Sequence, residues 1–353
     1  MTDLKNLRKI LIPISWIYGW IMEIRNLLFN TKIKSIYTSK VPVISVGNLS
    51  TGGTGKTPHV DFLTTHFKKK YAVTILSRGY GRKTKGFLLA TAHSNAETIG
   101  DEPLFYKNKH KEDIQVVVCE DRALGAQKIE KQIKETELIL LDDAYQHRKI
   151  HRDCNILLTD FNQLFTRDYV LPAGNLREFR KQKSRADVVL ITKTPENTTS
   201  AEKQKIIKEL KLDVPAYFSQ ITYGPILPVN NFEENKFGSA NDTPTGIVLV
   251  TGIANPKPLV EQLEKSFEID LVSFSDHHQF TPTDISEIHR IFDIFAHEKK
   301  AIVTTEKDFM RLLHPSIIKR IQNYPWYYQS IGVEIDQKES FIKTVEKYVS
   351  TNK

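Results

Sequence analysis

Short apolar runs alternate along this chain with longer polar segments. Residues 43–46, 72–76, 115–119, 138–141, 155–159 and 188–192 are dominated by Val, Ile and Leu with little polar alternation. Runs of this kind predict strands covered on both faces, as in a parallel sheet. The Lys- and Glu-rich stretches between them, such as 123–137, predict the connecting helices. Strand, helix, strand repetition indicates an α/β fold with a doubly wound, mostly parallel sheet. Ligands of such sheets bind beyond the carboxyl ends of the strands, so the residues after each run carry the functional interest.

The pattern breaks between residues 223 and 245, where Gly224, Pro225, Pro228, Asn230, Asn231, Gly238, Asn241 and Pro244 gather. This composition predicts a linker. The alternation resumes at 247–251, 271–274 and 301–305, so a second, smaller α/β domain is expected. The predicted organisation is an N-terminal helical segment over 1–35, a main domain over 36–222, the linker over 223–245 and a smaller domain over 246–353.

A chain of 353 residues with 50 Lys and Arg against 42 Asp and Glu has a net charge of +8. That charge suits anionic substrates or lipid surfaces. Without a compact basic arm bearing aromatics, no nucleic-acid partner is expected. Two cysteines, Cys119 and Cys154, exclude a disulfide scaffold. The uncharged stretch ILIPISWIYGWIM, residues 10–22, is shorter than the roughly 20 residues a spanning helix needs. No small-x-small cleavage site follows it, which argues against a signal peptide. Two tryptophans with flanking Lys and Arg leave two readings, an amphipathic helix on a membrane surface or a helix packed on the protein's own core.

The strongest chemical signal is VPVISVGNLSTGGTGKTP, residues 41–58. A buried strand runs into a glycine-rich loop and then into Gly55-Lys56-Thr57, with Pro58 suited to a first helical turn. This is the context of a phosphate loop, and it predicts a P-loop NTPase-like main domain. Backbone N–H groups across Asn48, Ser50, Thr51, Gly52, Gly53, Thr54 and Gly55 would converge on phosphate oxygens. Lys56 would reach the terminal phosphates of ATP, and Thr57 would place its hydroxyl on Mg²⁺. The strict pattern has glycine where Ser50 stands. Leu138 to Leu141 lead into Asp142 and Asp143, a strand ending in acid that brings carboxylate toward such an ion, with Asp160 as the runner-up.

A phosphate loop leaves the phosphoryl acceptor open. A small-molecule or lipid kinase competes with a switch ATPase of the partitioning or metal-insertion type. The latter carries an additional lysine where this chain has Thr51. A kinase needs a group to accept or orient a hydroxyl proton. Gly100-Asp101-Glu102-Pro103 and Ser275-Asp276-His277-His278 offer a carboxylate and a histidine at predicted loop positions. Arg78, in Ser77-Arg78-Gly79-Tyr80, and Arg177, in Leu176-Arg177-Glu178, are forked cations suited to phosphate.

Taken in order, GNLSTGGTGKTP, SRGYGR, GDEP, LDDAYQHR, LPAGNLRE, DHHQF and TTEKD resemble the tetraacyldisaccharide 4'-kinase family of lipid A biosynthesis, over about residues 41–307. The loop of that family also begins Gly-Asn-Leu. The resemblance implies transfer of the γ-phosphoryl of ATP to the 4'-hydroxyl of a tetraacyl glucosamine disaccharide 1-phosphate. It implies work at the cytoplasmic face of the bacterial inner membrane, with the N-terminal helix on the lipid. By position it makes Asp101 the general base, His277 its partner in preference to His278, and Lys56 a catalytic cation. It also puts Asp142, Asp143 and Glu178 near Mg²⁺, and Arg78 and Arg177 near the phosphates. Two departures stand out: Ala144-Tyr145 replaces the familiar Gly-Phe, and Phe179 replaces the familiar Pro.

Overall fold

The structure is a computed structural model that describes residues 8–229, 237, 244–276 and 278–350. The strands are β1 (Val43–Asn48), β2 (Val73–Ser77), β3 (Leu88–Leu89), β4 (Gln115–Val118), β5 (Leu138–Asp142), β6 (Cys154–Asp160) and β7 (Val188–Thr192). They continue with β8 (Ala216–Pro228), β9 (Gly246–Thr251), β10 (Glu268–Ser273), β11 (Lys300–Thr305) and β12 (Trp326–Ile335). The main helices are α1 (Ile12–Asn30), α2 (Lys56–Phe67), α3 (Asp101–His110), α4 (Arg122–Gln132), α5 (Ser200–Leu210), α6 (Lys257–Leu263), α7 (Pro282–Ile294), α8 (Glu306–Leu312), α9 (Pro315–Ile321) and α10 (Lys338–Ser350).

All strands join one sheet in the order β10-β9-β11-β12-β8-β7-β6-β1-β5-β2-β4-β3. Among the strands of the described residues, only the β3–β4 and β8–β12 pairings are antiparallel. The sequence-based strands recur within three residues of their expected ends. β1, at the centre of the N-terminal half, is buried at every position. Its two faces serve different layers. Ile44 and Val46 pack with Val60 and Leu63 of α2, Leu104 of α3 and Val345 of α10. Val43 lies on the other side with Ile129 of α4 and Ile139 of β5. Covered faces of this kind account for the nearly continuous apolar runs. In the C-terminal half, Val248 and Val250 of β9 pack with Ile285 and Ile288 of α7, and Ile247 and Leu249 pack with Leu259 and Leu263 of α6.

The start of the linker expected over 223–245 is strand in the structure. β8 is a 13-residue strand that runs through Gly224 and Pro225 to Pro228. Its first residues pair with β7, and most of its length pairs with β12. Pro225 has no partner in the β8–β12 ladder, whose register shifts between Gln329 and Ile331, so the proline removes no ladder hydrogen bond there. The rest of the expected linker lies largely outside the described residues.

Helix α1 inverts the usual amphipathic arrangement. Its buried positions are Ser15, Gly19, Asn26 and Phe29, whereas Trp16 is 63 % and Trp20 59 % exposed. Ile14, Ile17, Ile21, Ile24 and Leu27 are exposed as well. Among the described residues no helix is long and apolar enough to cross a membrane.

Candidate active site

The glycine-rich loop joins the carboxyl end of β1 to α2, as its sequence predicts. Gly55 caps α2 at φ 82°, in the left-handed region that favours glycine. Added Cβ atoms at Gly52 and Gly53 would meet nothing within 4 Å, so the loop faces open space that a ligand can approach. Asn48 organises the loop from below. Its Nδ2 donates to Thr54 Oγ1 at 2.8 Å, and its carbonyl accepts from Gln146 Nε2 at 2.9 Å. Thr192 Oγ1 donates to the Thr54 carbonyl at 2.9 Å. The 171–178 segment forms the opposite wall. Thr51 N donates to Asn175 O and Arg177 N to Leu49 O, both at 2.7 Å, and Ser50 bridges Leu176.

Charged groups converge beside the loop. Val46 of β1 is in register with Asp142 of β5, which brings the acidic strand end level with the loop's start. Lys56 Nζ lies 3.7 Å from Asp143 Oδ2, and Arg177 Nη1 donates to Asp143 Oδ1 at 3.2 Å. Burial raises the Asp143 pKa, but Lys56 and Arg177 outweigh it and the carboxyl ends below its ordinary value. Asp142 behaves oppositely. Burial, together with Glu102 and Asp143, pushes its pKa up, and neither carboxylate oxygen has a hydrogen-bond partner among the described residues.

Three contributors were not singled out as site residues by sequence. Glu102 accepts from Thr57 Oγ1 at 3.3 Å. Arg122 is buried, donates to the Asp142 carbonyl at 3.3 Å and has its pKa lowered to about 10 by burial. Gln146 bridges Asn48 O and Arg177. Glu102 was visible as half of an acidic pair. Arg122 gave no signal, because a buried arginine in a Lys- and Glu-rich helix reads as solvated.

The remaining expectations divide. Asp101 begins α3, one residue before Glu102, and accepts from Arg311 Nε at 2.7 Å. Arg78 is exposed just beyond β2, with its charge near Arg122 and His147. His277 lies outside the described residues. His278 is engaged elsewhere: its ring stacks on Phe274, and Nε2 pairs with Asp284 at 2.9 Å. Asp160 is paired with Lys193 at 2.9 Å. Glu178 does not join the Lys56 group in this structure. It is fully buried, accepts from Asn26 Nδ2 at 3.0 Å and pairs with Arg185. Among the described residues no three His, Cys, Asp or Glu side chains form a ready-made metal cage.

A site of this construction can bind nucleotide phosphates and transfer one of them. The model of the LpxK family, tetraacyldisaccharide-1-P 4'-kinase, matches residues 7–350. The chain belongs to that family. It is 41 % identical over 345 residues to the tetraacyldisaccharide 4'-kinase of Cytophaga hutchinsonii, covering 96 % of this chain and 95 % of the relative. The Bacteroides thetaiotaomicron tetraacyldisaccharide 4'-kinase is also 41 % identical, over 360 residues, covering 98 % and 94 %. A crystal structure of LpxK from Aquifex aeolicus in complex with ATP superposes with a TM-score of 0.74 at 29 % identity, covering 97 % of this chain and 99 % of that one. The LpxK reaction is therefore this chain's reaction: it is a tetraacyldisaccharide 4'-kinase of lipid A biosynthesis.

Proposed function

We propose that the γ-phosphoryl of ATP passes in line to the lipid's 4'-hydroxyl at the phosphate loop, that Asp101 accepts the hydroxyl proton, and that α1 rests on the membrane. The supporting observation is the convergence of loop and acids. Lys56 lies 3.7 Å from Asp143, and Thr57 donates to Glu102, the neighbour of Asp101, at 3.3 Å. In the transfer a bond forms from the 4'-oxygen to phosphorus, the hydroxyl proton goes to Asp101, and ADP leaves with the former bridging oxygen. Lys56 and the loop amides hold charge on the moving group. Arg177 and Arg78 bind phosphate oxygens at the rim. His277 supports Asp101.

The residues present fit Mg²⁺. Asp142 is a buried carboxylate whose two oxygens lack partners among the described residues, a state that a cation relieves. Thr57, Asp142 and Asp143 would hold the ion, and when bound it neutralises phosphate charge. Such sites use one or two carboxylates plus substrate phosphates rather than an all-protein cage. Glu178, already bound to Asn26 and Arg185, is left out of this set.

The exposed row of Trp16, Ile17, Trp20, Ile21, Ile24 and Leu27 supports membrane docking at the cytoplasmic face of the inner membrane. The expected 246–353 domain loses its last helix, because α10 packs into the core of the N-terminal half. In this reading residues 36–222 with α10 form one lobe and residues 246–335 the other, and the two close over the headgroup and exclude water. The test is co-sedimentation with anionic vesicles alongside transfer of γ-labelled phosphate to tetraacyldisaccharide 1-phosphate. Binding and transfer both falling when Trp16 and Trp20 are replaced supports the docking. Unchanged binding refutes it.

A further inference from the structure

The buried side chain of Arg311 reaches across the molecule. Its own helix, α8, follows β11 in the C-terminal half, and its Nε donates to Asp101 Oδ2 at 2.7 Å, 210 residues away in sequence. The guanidinium is fully buried. Its Nη1 donates to Asp308 Oδ1 at 2.6 Å and to the Gly252 carbonyl at 3.3 Å. Asp308 is itself fixed, because Oδ2 accepts from Gly252 N at 2.8 Å and from Thr305 Oγ1 at 2.7 Å. A relay therefore runs from the β9 loop through Asp308 and Arg311 to Asp101. Asp308 alone would suffice to neutralise a buried arginine. The second limb of the fork is directed instead to a carboxylate of the N-terminal half.

We propose that Arg311 is a positioning residue for phosphoryl transfer, holding Asp101 in one orientation and tying it to the C-terminal half of the chain. The inference rests on Asp101 as the proton acceptor. The planar fork is what makes the arrangement work: Nε and Nη1 address two carboxylates in fixed directions, which an ammonium does not do. A charge-assisted bond to Oδ2 limits the rotation of Asp101, so the carboxylate is already in place for a hydroxyl proton when lipid arrives. It also makes the placement of the acceptor depend on how the two halves meet.

The test uses the full chain and four single or double variants: Arg311→Met, Arg311→Lys, Asp101→Asn, and Asp101→Asn combined with Arg311→Met. Folding is checked by circular dichroism and Tm, and label transfer gives kcat and the KM for ATP. Loss of a positioned base costs about 100-fold or more. Asp101→Asn and Arg311→Met should each lower kcat on that scale, leaving the KM for ATP within about threefold. Arg311→Lys should fall between Met and wild type. In the Asp101→Asn background, removing Arg311 should cost less than about threefold more, because the two act as one unit. If Arg311→Met does not fold, Arg311→Lys and a further double variant, Asp101→Asn with Arg311→Lys, make the same comparison. Equal costs in both backgrounds, or an unchanged kcat with Arg311→Met, overturn the proposal while leaving Asp101 as the base. An unchanged kcat with Asp101→Asn overturns both.

Discussion

Gly19 of α1 lies against the ring of Phe179: a Cβ on Gly19 would fall 2.3 Å from Phe179 Cζ and within 2.8 Å of two neighbouring ring carbons. This contact seats the N-terminal helix on the segment that walls the phosphate loop. Other bonds follow the same line. Ala173 N donates to Ser15 Oγ at 2.9 Å, and Arg8 Nη1 donates to Asn175 Oδ1 at 3.0 Å. Asn175 in turn accepts from Thr51 of the loop. The helix is thus part of the site's framework, while its exposed face carries Trp16 and Trp20.

Gly19→Val should accordingly destabilise the protein by about 1–3 kcal/mol, the usual cost of overpacking. The urea midpoint reads the loss. A second change, Phe179→Ala, should recover much of it. No recovery in the double variant would mean that the ring is not what Gly19 accommodates.

Replacing Trp16 and Trp20 by serine should leave the urea midpoint nearly unchanged, because both rings are mostly exposed. Affinity for anionic vesicles should fall by about tenfold or more, given the apolar area such rings bury on lipid. Sedimentation against vesicles measures it.

Asp142→Asn should separate stability from activity. A carboxylate without hydrogen-bond partners is costly to bury, and a neutral amide costs less. The variant should raise Tm in the absence of nucleotide while lowering kcat about 100-fold or more. A lowered Tm with retained activity would contradict the role assigned to Asp142.

Acid should weaken the fold through His59. Its Nδ1 meets Gly55 O at 2.6 Å and its Nε2 meets Ser219 Oγ at 2.7 Å, linking the phosphate loop to β8. Burial pushes its pKa down from 6.5 to about 4. Between those values the unfolded chain carries a proton that the folded chain does not, so stability falls as pH drops. The full contribution is present above 6.5 and is lost by about pH 4. For His59 this is worth about 3 kcal/mol. Burial lowers His147 to about 3 and His289 to about 4, with the same sign. Urea midpoints at several pH values should give a shallower slope for His59→Gln than for wild type.

Much of this was legible in the sequence for a physical reason. Strands buried on both faces leave continuous apolar runs, and a loop that must fold around phosphate leaves its glycines in order. What escaped was of another kind. β8 hid behind Gly224 and Pro225, because an irregular register tolerates residues that usually mark loops. Arg122 and Arg311 escaped because their sequence surroundings resemble solvated helix. Glu178 was expected among the metal's neighbours, but side-chain partners such as Asn26 and Arg185 are set by tertiary packing, which local sequence does not encode. The inverted face of α1 was half visible: the apolar bulk was plain, but which side faced inward depended on Phe179.

The most direct test of the account is transfer of γ-labelled phosphate from ATP to tetraacyldisaccharide 1-phosphate in detergent micelles by wild type and by Asp101→Asn. The account predicts labelled lipid with wild type and about a 100-fold slower rate with Asp101→Asn at an unchanged KM for ATP. Equal rates from the two proteins would contradict it.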